Sequence, residues 1–423
     1  MNAAAMKSND ETRRILMHLQ HGEAGVTGHH RHFTLRSAFQ PIVSLSHCRS
    51  VGYEALVRAT HCDNSAVSPP ALFAGVANES ELVHLDRLCR AVHIHNFIRS
   101  NDDNSWIFLN VHPSVSVKGR HYGRFFEELL EEVGLPPERV VIEILEDATF
   151  DDHQLADAVS FYRDRGCLVA IDDFGIGHSN FGRIWQIKPH IVKLDRSTLV
   201  FARQDAAARR VLPGLVNLLH EAGCIVLIEG IEDEYEAMLA MESGADLAQG
   251  YYFARPAAQP LTMSESSDTI LSLIHGYRSR LQRQDQADRN AAHMPALHRA
   301  AIEVAARESL HCPAIDRLLG MNGADRCYLI DHEGRQIGDS RAAAGKAHAG
   351  DIRFRPLENA SNAIWIRRSY WRRALHKPGE VQVTRPYLSV ATGRLCITLS
   401  ISFNEAGVAR VLCLDLEHDE YSP

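Results

Sequence analysis

Short apolar runs alternate with helical stretches through much of the chain, and a polar residue closes almost every run. In order come "GYEALV", a helical pattern around "PPALFAGVANESELVHLDRLCRAVHIHNFI", "WIFLNV", the helix "GRFFEELLEEVG", "VVIEIL", the helix "DDHQLADAVSFYRDRG" and "LVAIDDF". Then follow "IVKLD", the helix "AAARRVLPGLVNLLHEAG", "IVLIEG", the helix "EDEYEAMLAMESG" and "LAQGYYF". β-Rich runs alternating with helices predict βα units around a mostly parallel sheet. About seven such units in about 225 residues fit a closed (β/α)8-like, TIM-type barrel better than an open sheet. The expected organisation is a polar, weakly helical N-terminal arm over 1–32, the barrel over 33–257, a connector helix region over 258–300, and a smaller domain over 301–423.

The polar residues near the strand ends are Glu54, Asn110, Glu143, Asp172 with Asp173, Lys193, Glu229 and Gln249. A barrel converges the C-terminal ends of its strands on one mouth, so these distant residues are expected to form one ring. Adjacent aspartates repel, and burying both is costly unless something positive stands between them. An all-oxygen donor set suits the hard cations Mg²⁺ or Mn²⁺ and lacks the His or Cys that zinc favours. One carboxylate can bridge two cations about 4 Å apart, the arrangement that serves phosphoryl chemistry. Lys193 either orients water or a developing anion in this ring, or is a buried salt-bridge lysine. Arg58 suits a substrate phosphate; its alternative is a plain surface arginine.

Composition narrows the class without naming it. With 45% hydrophobic and 23% charged residues, the chain is of ordinary globular type. At 423 residues it is long enough for two domains. The net charge of −8 argues against a surface for a nucleic-acid polymer. No apolar stretch has membrane-spanning length and no signal peptide opens the chain, so a cytoplasmic location is expected. Nine scattered cysteines without a CxxC pair suggest neither a disulfide framework nor a zinc knuckle, which fits a reducing compartment. The histidines of "GHHRHF" are expected in an exposed polar segment before the first strand.

Taken together, residues from about 33 to 257 resemble the bacterial EAL domain, a cyclic di-GMP phosphodiesterase barrel. "FQPIVSL" is similar to its opening strand, and "GYEALVR" contains the motif Glu54-Ala55-Leu56. "LNV" supplies Asn110, "IEILED" Glu143 and Glu146, "DDFGIGHSN" the aspartate loop, and "VKLD" Lys193 and Asp195. "IEGIE" supplies Glu229 and Glu232, and "AQGYYFARP" begins its match at Gln249. The resemblance implies two divalent cations, Mg²⁺ or Mn²⁺, per active site. Glu54, Asn110, Glu143 and Asp172 would hold one, and Asp172, Asp173 and Glu229 the other. It further implies that Lys193 positions the attacking water with Gln249 beside it. Gln40, Leu56, Arg58 and Asp195 would contact substrate, and Glu146 would brace the aspartate loop. The implied reaction is hydrolysis of cyclic di-GMP to linear pGpG by a homodimer. The loop departs from the family at Ile176, His178 and Asn180, where Thr, Tyr and Ser are usual; none of these is a metal ligand.

After Pro256 the texture changes. Ile270, Leu273, Ile274, Tyr277 and Leu281 recur at helical spacing, predicting the connector helix. Beyond it, "CYLIDHEGRQIGDS", "GEVQVTRPYL", "LCITLSISFN" and "VARVLCLDLE" predict an α+β domain on an antiparallel sheet. This part is similar, more loosely, to PAS/Cache-like sensory domains. That likeness implies a pocket for a small ligand with Arg368, Tyr370 and Trp371 as candidate walls, unless Trp371 belongs to the core beneath a basic helix. Three readings stay open: an active cyclic di-GMP phosphodiesterase, a non-catalytic receptor for that nucleotide, and a different metal-dependent phosphodiesterase.

Overall fold

The computed structural model describes residues 12–100, 104–112, 115, 124–145, 152–175, 181–261, 268–286, 292–346, 360–389, 392, 394–405 and 407–418. The chain divides into two compact units, Met1–Leu281 and Gln282–Pro423.

In the first unit, β1 (Leu19–Gly22), β2 (Gly25–His30), β3 (Phe33–Ser44), β4 (Arg49–Thr60) and β5 (Ala66–Val67) are followed by β6 (Trp106–Val111) and β7 (Val140–Leu145). Then come β8 (Leu168–Phe174), β9 (Ile191–Leu194), β10 (Ile225–Ile228) and β11 (Leu247–Ala248). The order β3-β11-β10-β9-β8-β7-β6-β4 closes on itself through β3–β4 pairing, giving an eight-stranded barrel. β4 and the strands from β6 to β11 pair in parallel with one another, while β3 runs antiparallel to both its neighbours. Strands such as β7, "VVIEIL", are apolar on both faces because helices cover the outside of the barrel. The helix Glu79–Ile98 is one of these. Asn78 caps it by accepting from the Glu81 amide at 3.0 Å, and Glu79 and Glu81 lie in its first turn, where the helix dipole favours acids.

The expected helical arm is in part a hairpin. Among the described residues of the arm only 12–16 are helical, and β1 and β2 then pair antiparallel and continue onto β3, with His30 opposite Phe33. Arg31 and His32 of "GHHRHF" are exposed as expected, but its first residues end a strand instead of preceding one. Val26, Gly28 and His30 alternate inward along β2, because a neutral imidazole packs as a half-apolar ring and so carries strand periodicity that a polar label hides.

In the second unit, β12 (Ala324–Ile330), β13 (Gln336–Ala342), β14 (Gln382–Val383), β15 (Tyr387–Leu388), β16 (Leu395–Glu405) and β17 (Val408–Glu417) form one antiparallel sheet. Its order is β13-β12-β17-β16-β14, with β15 also on β16. One face packs helices His293–Arg307 and Pro313–Leu319 through Leu297, Val304, Ile315 and Leu318 against Leu329, Leu399 and Leu412. The other face, with Tyr328, Val411 and Cys413, packs Tyr370, Trp371 and Ala374 of helix Ser369–His376. A cavity of about 20 Å³, room for about one water, lies among Arg326, Tyr328, Trp365, Arg368, Tyr370, Tyr387 and Asp415. Of the three candidate walls, Arg368 and Tyr370 line it. Trp371 does not. It packs in the core with its indole donating to the Asp331 carbonyl at 3.0 Å, since neighbouring positions on a helix point about 100° apart.

Asp415 is buried in this unit and accepts from Thr398 at 2.6 Å and Tyr328 at 3.3 Å. Burial pushes its carboxyl up from 3.8 to about 6 despite the opposing Thr398 hydrogen bond and Arg326. The folded state therefore holds a proton that the unfolded state releases between those values, and this group's contribution to stability falls as pH rises through about 6. In Asp415→Asn that loss is absent. Melting curves from pH 4 to 8 should show the variant gaining on wild type up to about pH 6, with a constant difference above. A difference independent of pH would mean Asp415 stays ionised in the fold.

Candidate active site at the barrel mouth

Side chains two positions apart on a strand face the same side. One layer inside the barrel consists of Ile42, Phe108, Val141, Ala170, Ile191, Leu227 and Leu247. Two positions further on, on or just past the same strands, stand Asn110, Glu143, Asp172, Lys193, Glu229 and Gln249. On the reversed β3 the matching position is two residues earlier, at Gln40. On β4, Glu54 follows Gly52, where a Cβ would come within 2.9 Å of the Phe108 ring. Every barrel strand thus contributes one polar side chain to the layer above an apolar plug.

Lys193 is the centre of this layer. Its ammonium lies 2.5 Å from Glu143, 2.9 Å from Asp172 and 2.5 Å from Glu229, and its side chain is 1% exposed. Glu54 is held from both sides, by Asn110 Nδ2 on Oε1 at 3.0 Å and by Gln249 Nε2 on Oε2 at 2.8 Å. Burial pushes the carboxyls of Glu143 and Glu229 well above the usual range, against the pull of Lys193. Burial also works against the Lys193 charge, but Asp172, Glu143 and Glu229 outweigh it and hold the ammonium well above an ordinary lysine.

Asp172 and Asp173 would point to opposite faces of a regular strand. The β8–β9 register shifts between Ile171 and Phe174, and Asp173 sits at φ 58° in the left-handed region. The alternation breaks there, and Asp173 stays near the ring: burial and then Asp172 raise its carboxyl to about 6. A non-glycine residue in that conformation is strained, which is tolerated where surrounding structure fixes it.

Two cavities share Glu54 as a wall. One, of about 460 Å³, contains Leu56, Asn110, His93, Pro69, Pro70 and Phe73. The other, of about 270 Å³, contains Gln40, Glu229, Gln249, Arg196 and Tyr251. Gly250 lines the second; a Cβ there would fall 2.0 Å from the Ile231 carbonyl oxygen, so the backbones meet directly. Arg58 is exposed, its Nη1 on the Val57 carbonyl at 3.0 Å. Asp195 caps the helix Arg196–Gln204 through the Ser197 amide at 2.7 Å, which occupies one of its oxygens. Glu146, Ile176, His178 and Asn180 lie outside the described residues. His93 and Arg196 were not expected at the site. Arg196 pairs with Glu232 through Nη1 and Nη2, and only Glu232 lay within a recognised motif.

The chemistry of this layer fits divalent cations. Its donors are oxygens, four acids face one lysine, and among the described residues Glu143 Oε2, on the side away from Lys193, and Gln249 Oε1 are buried without a hydrogen bond. Among the same residues no three His, Cys, Asp or Glu side chains already stand around a metal-sized point, because the Lys193 ammonium lies between the acids and amides hold Glu54.

These features define a class: a closed β/α barrel whose strand ends carry a buried carboxylate, amide and lysine site. The EAL domain model matches residues 28–256, over half of the chain, and the chain belongs to the EAL domain family. It is similar to the cyclic di-GMP phosphodiesterase RocR of Pseudomonas aeruginosa, 30% identical over 225 residues that cover 52% of this chain and 56% of RocR. It is also similar to the cyclic di-GMP phosphodiesterase TpdA of Vibrio parahaemolyticus, 27% identical over 215 residues covering 51% and 36% respectively. The chain thus spans about half or less of the length of these curated relatives. Among solved structures, Bacillus subtilis YkuI, in complex with substrate c-di-GMP and calcium, superposes with a TM-score of 0.74 over 91% of this chain and 96% of that one. At 22% identity that likeness speaks to the fold. No described helix is long and apolar enough to cross a membrane.

The lysine-centred arrangement makes an asymmetric forecast. In chelator, Lys193→Met leaves three carboxylates facing one another and should cost the barrel about 3 kcal/mol or more. Asp172→Asn removes one negative charge while Lys193 keeps two partners, and should cost far less. Urea unfolding followed by circular dichroism compares them; equal losses would mean that Lys193 does not neutralise the ring.

Proposed function

We propose that the barrel hydrolyses cyclic di-GMP to linear pGpG, opening one phosphodiester bond with one water. The carrying observation is the layer of carboxylates, amides and one lysine together with two cavities that share Glu54 as a wall: two recesses meeting at one acid of the layer suit a ligand with two bases around a phosphodiester ring. The names of RocR and TpdA support the same substrate. Glu54, Asn110, Glu143 and Asp172 would hold one Mg²⁺ or Mn²⁺, and Asp172, Asp173 and Glu229 a second; such ions supply Lewis acidity and lower the pKa of water.

The chain's own groups do the rest. Asn110 and Gln249 donate to Glu54 and fix its orientation. Lys193 places positive charge where an attacking water and a developing phosphorane anion would lie, with Gln249 beside it. Gln40, Leu56, Arg58 and Asp195 would contact the nucleotide, Arg58 by its exposed guanidinium. Glu146 is assigned to bracing the aspartate loop by family likeness alone. We also propose that the second unit, on residues 301–423, is a PAS/Cache-like regulatory domain that binds a small molecule, and that the protein acts as a cytoplasmic homodimer, with residues 258–300 as connector. Trp185 and Phe201, both largely exposed, are apolar surface of the kind a second copy covers.

Purified protein incubated with cyclic di-GMP and Mg²⁺ or Mn²⁺ should yield pGpG by chromatography. Ca²⁺ should support binding and suppress turnover, because its larger, looser shell orients water poorly. Glu54→Ala should lower turnover by at least about a hundredfold. Turnover that persists in excess chelator would overturn the two-cation assignment. Tight binding with no turnover in Mg²⁺ or Mn²⁺ would make the protein a nucleotide receptor instead.

A further inference from the structure

His93 stands on the helix Glu79–Ile98, where the apolar face would ordinarily carry a core residue. It is 5% exposed and lines the 460 Å³ cavity together with Leu56 and Asn110. Its Nδ1 lies 2.9 Å from Ser37 Oγ. The other nitrogen, Nε2, has no partner among the described residues and belongs to the side of the ring away from Ser37. The cavity is walled by Pro69, Pro70, Phe73 and Leu56, so flat apolar surface surrounds a few polar groups, the usual make-up of a small-molecule site.

The hydrogen-bond pattern identifies the tautomer. Ser37 Oγ has one hydrogen and two possible acceptors, His93 Nδ1 at 2.9 Å and the Val92 carbonyl at 3.4 Å. That carbonyl already accepts from Asn96 Nδ2 at 2.9 Å, the amide's other hydrogen going to the Val26 carbonyl at 2.7 Å, and Nδ1 is much the nearer acceptor for the serine. The serine hydrogen therefore goes to Nδ1, and the proton of the neutral ring is on Nε2. Burial, with nearby Arg58 adding to it, lowers the imidazole to about 3, so the ring is uncharged at neutral pH.

We propose that this cavity takes one purine base of the cyclic dinucleotide and that His93 Nε2–H donates to O6 of guanine, where adenine carries a donor instead. This rests on the function proposed above and adds to it a residue that selects the base. A buried donor left without its acceptor is costly, which is how such a site rejects a base lacking one. His93 touches the base and not the reacting phosphodiester, so its effect falls on substrate affinity.

The test uses the full chain and steady-state kinetics on cyclic di-GMP with Mn²⁺, for wild type, His93→Leu and His93→Gln. Both variants keep much of the side-chain volume, and only Gln keeps an N–H donor. His93→Leu should raise KM about tenfold while kcat falls much less, and His93→Gln should recover most of that loss. Thermal melts check that both variants fold. If wild type turns over and both variants keep its KM, or if Leu and Gln lose equally, the role of His93 is overturned and the function proposed for the barrel stands. If wild type neither binds nor hydrolyses cyclic di-GMP, the functional proposal falls, and this inference with it.

Discussion

The mouth of the barrel is organised by one ammonium among carboxylates. Lys193 neutralises part of a cluster in which Glu143, Asp172 and Glu229 lie within 3 Å of its nitrogen. In water each such pair contributes little; in a buried layer the same charges interact strongly, and none can be removed without consequence for the others. The lysine lets acids from different strands converge in a closed barrel. It leaves more negative than positive charge, so the layer suits protons or cations; burial first, and the neighbouring acids after it, raise the carboxyls of Glu143 and Glu229 against the pull of Lys193.

Such a cluster requires strands in register. Because side chains alternate, a slip of one residue would send the polar layer outward and the apolar plug into its place. Asn110 lies directly opposite Glu143 on β6 and β7, and Leu145 opposite Asp172 on β7 and β8. The plug of Ile42, Phe108, Val141 and their neighbours fills the space beneath. The register shift in β8 is the local exception, and it lets two consecutive acids serve one site.

Much of this was legible in the chain. Apolar runs ending in one polar residue gave away both the strands and the ring, because parallel strands buried on both faces leave that single position to stand out. Glu54, Asn110, Glu143, Asp172, Lys193, Glu229 and Gln249 are gathered as their strand ends suggested. What stayed hidden depends on partners distant in sequence. The amide clamp on Glu54 joins β4, β6 and β11, and no local pattern distinguishes it from separate strand endings. His93 looks like a core residue on an apolar helix face until Ser37, on β3, is seen beside it. The β1–β2 hairpin was masked by histidines that pack as strand residues, and for Trp371 the sequence left pocket wall and core both open until its helix turned it into the core.

The two recesses beside Glu54 differ in chemistry, although a cyclic dinucleotide has two equal halves. One has prolines, a phenylalanine and a neutral imidazole; the other has Gln40, Arg196 and two further acids, Glu229 and Glu232. A symmetric ligand lying across them places its halves in unlike surroundings. The wall they share is Glu54, held by Asn110 and Gln249, so on the proposed function one of the ligand's two phosphodiester bonds at a time can meet it. On the proposed function, this asymmetry accounts for a linear product: after the first bond opens, the second is not beside Glu54, and a second cut requires the product to leave and rebind in a pose that a flexible linear chain no longer favours.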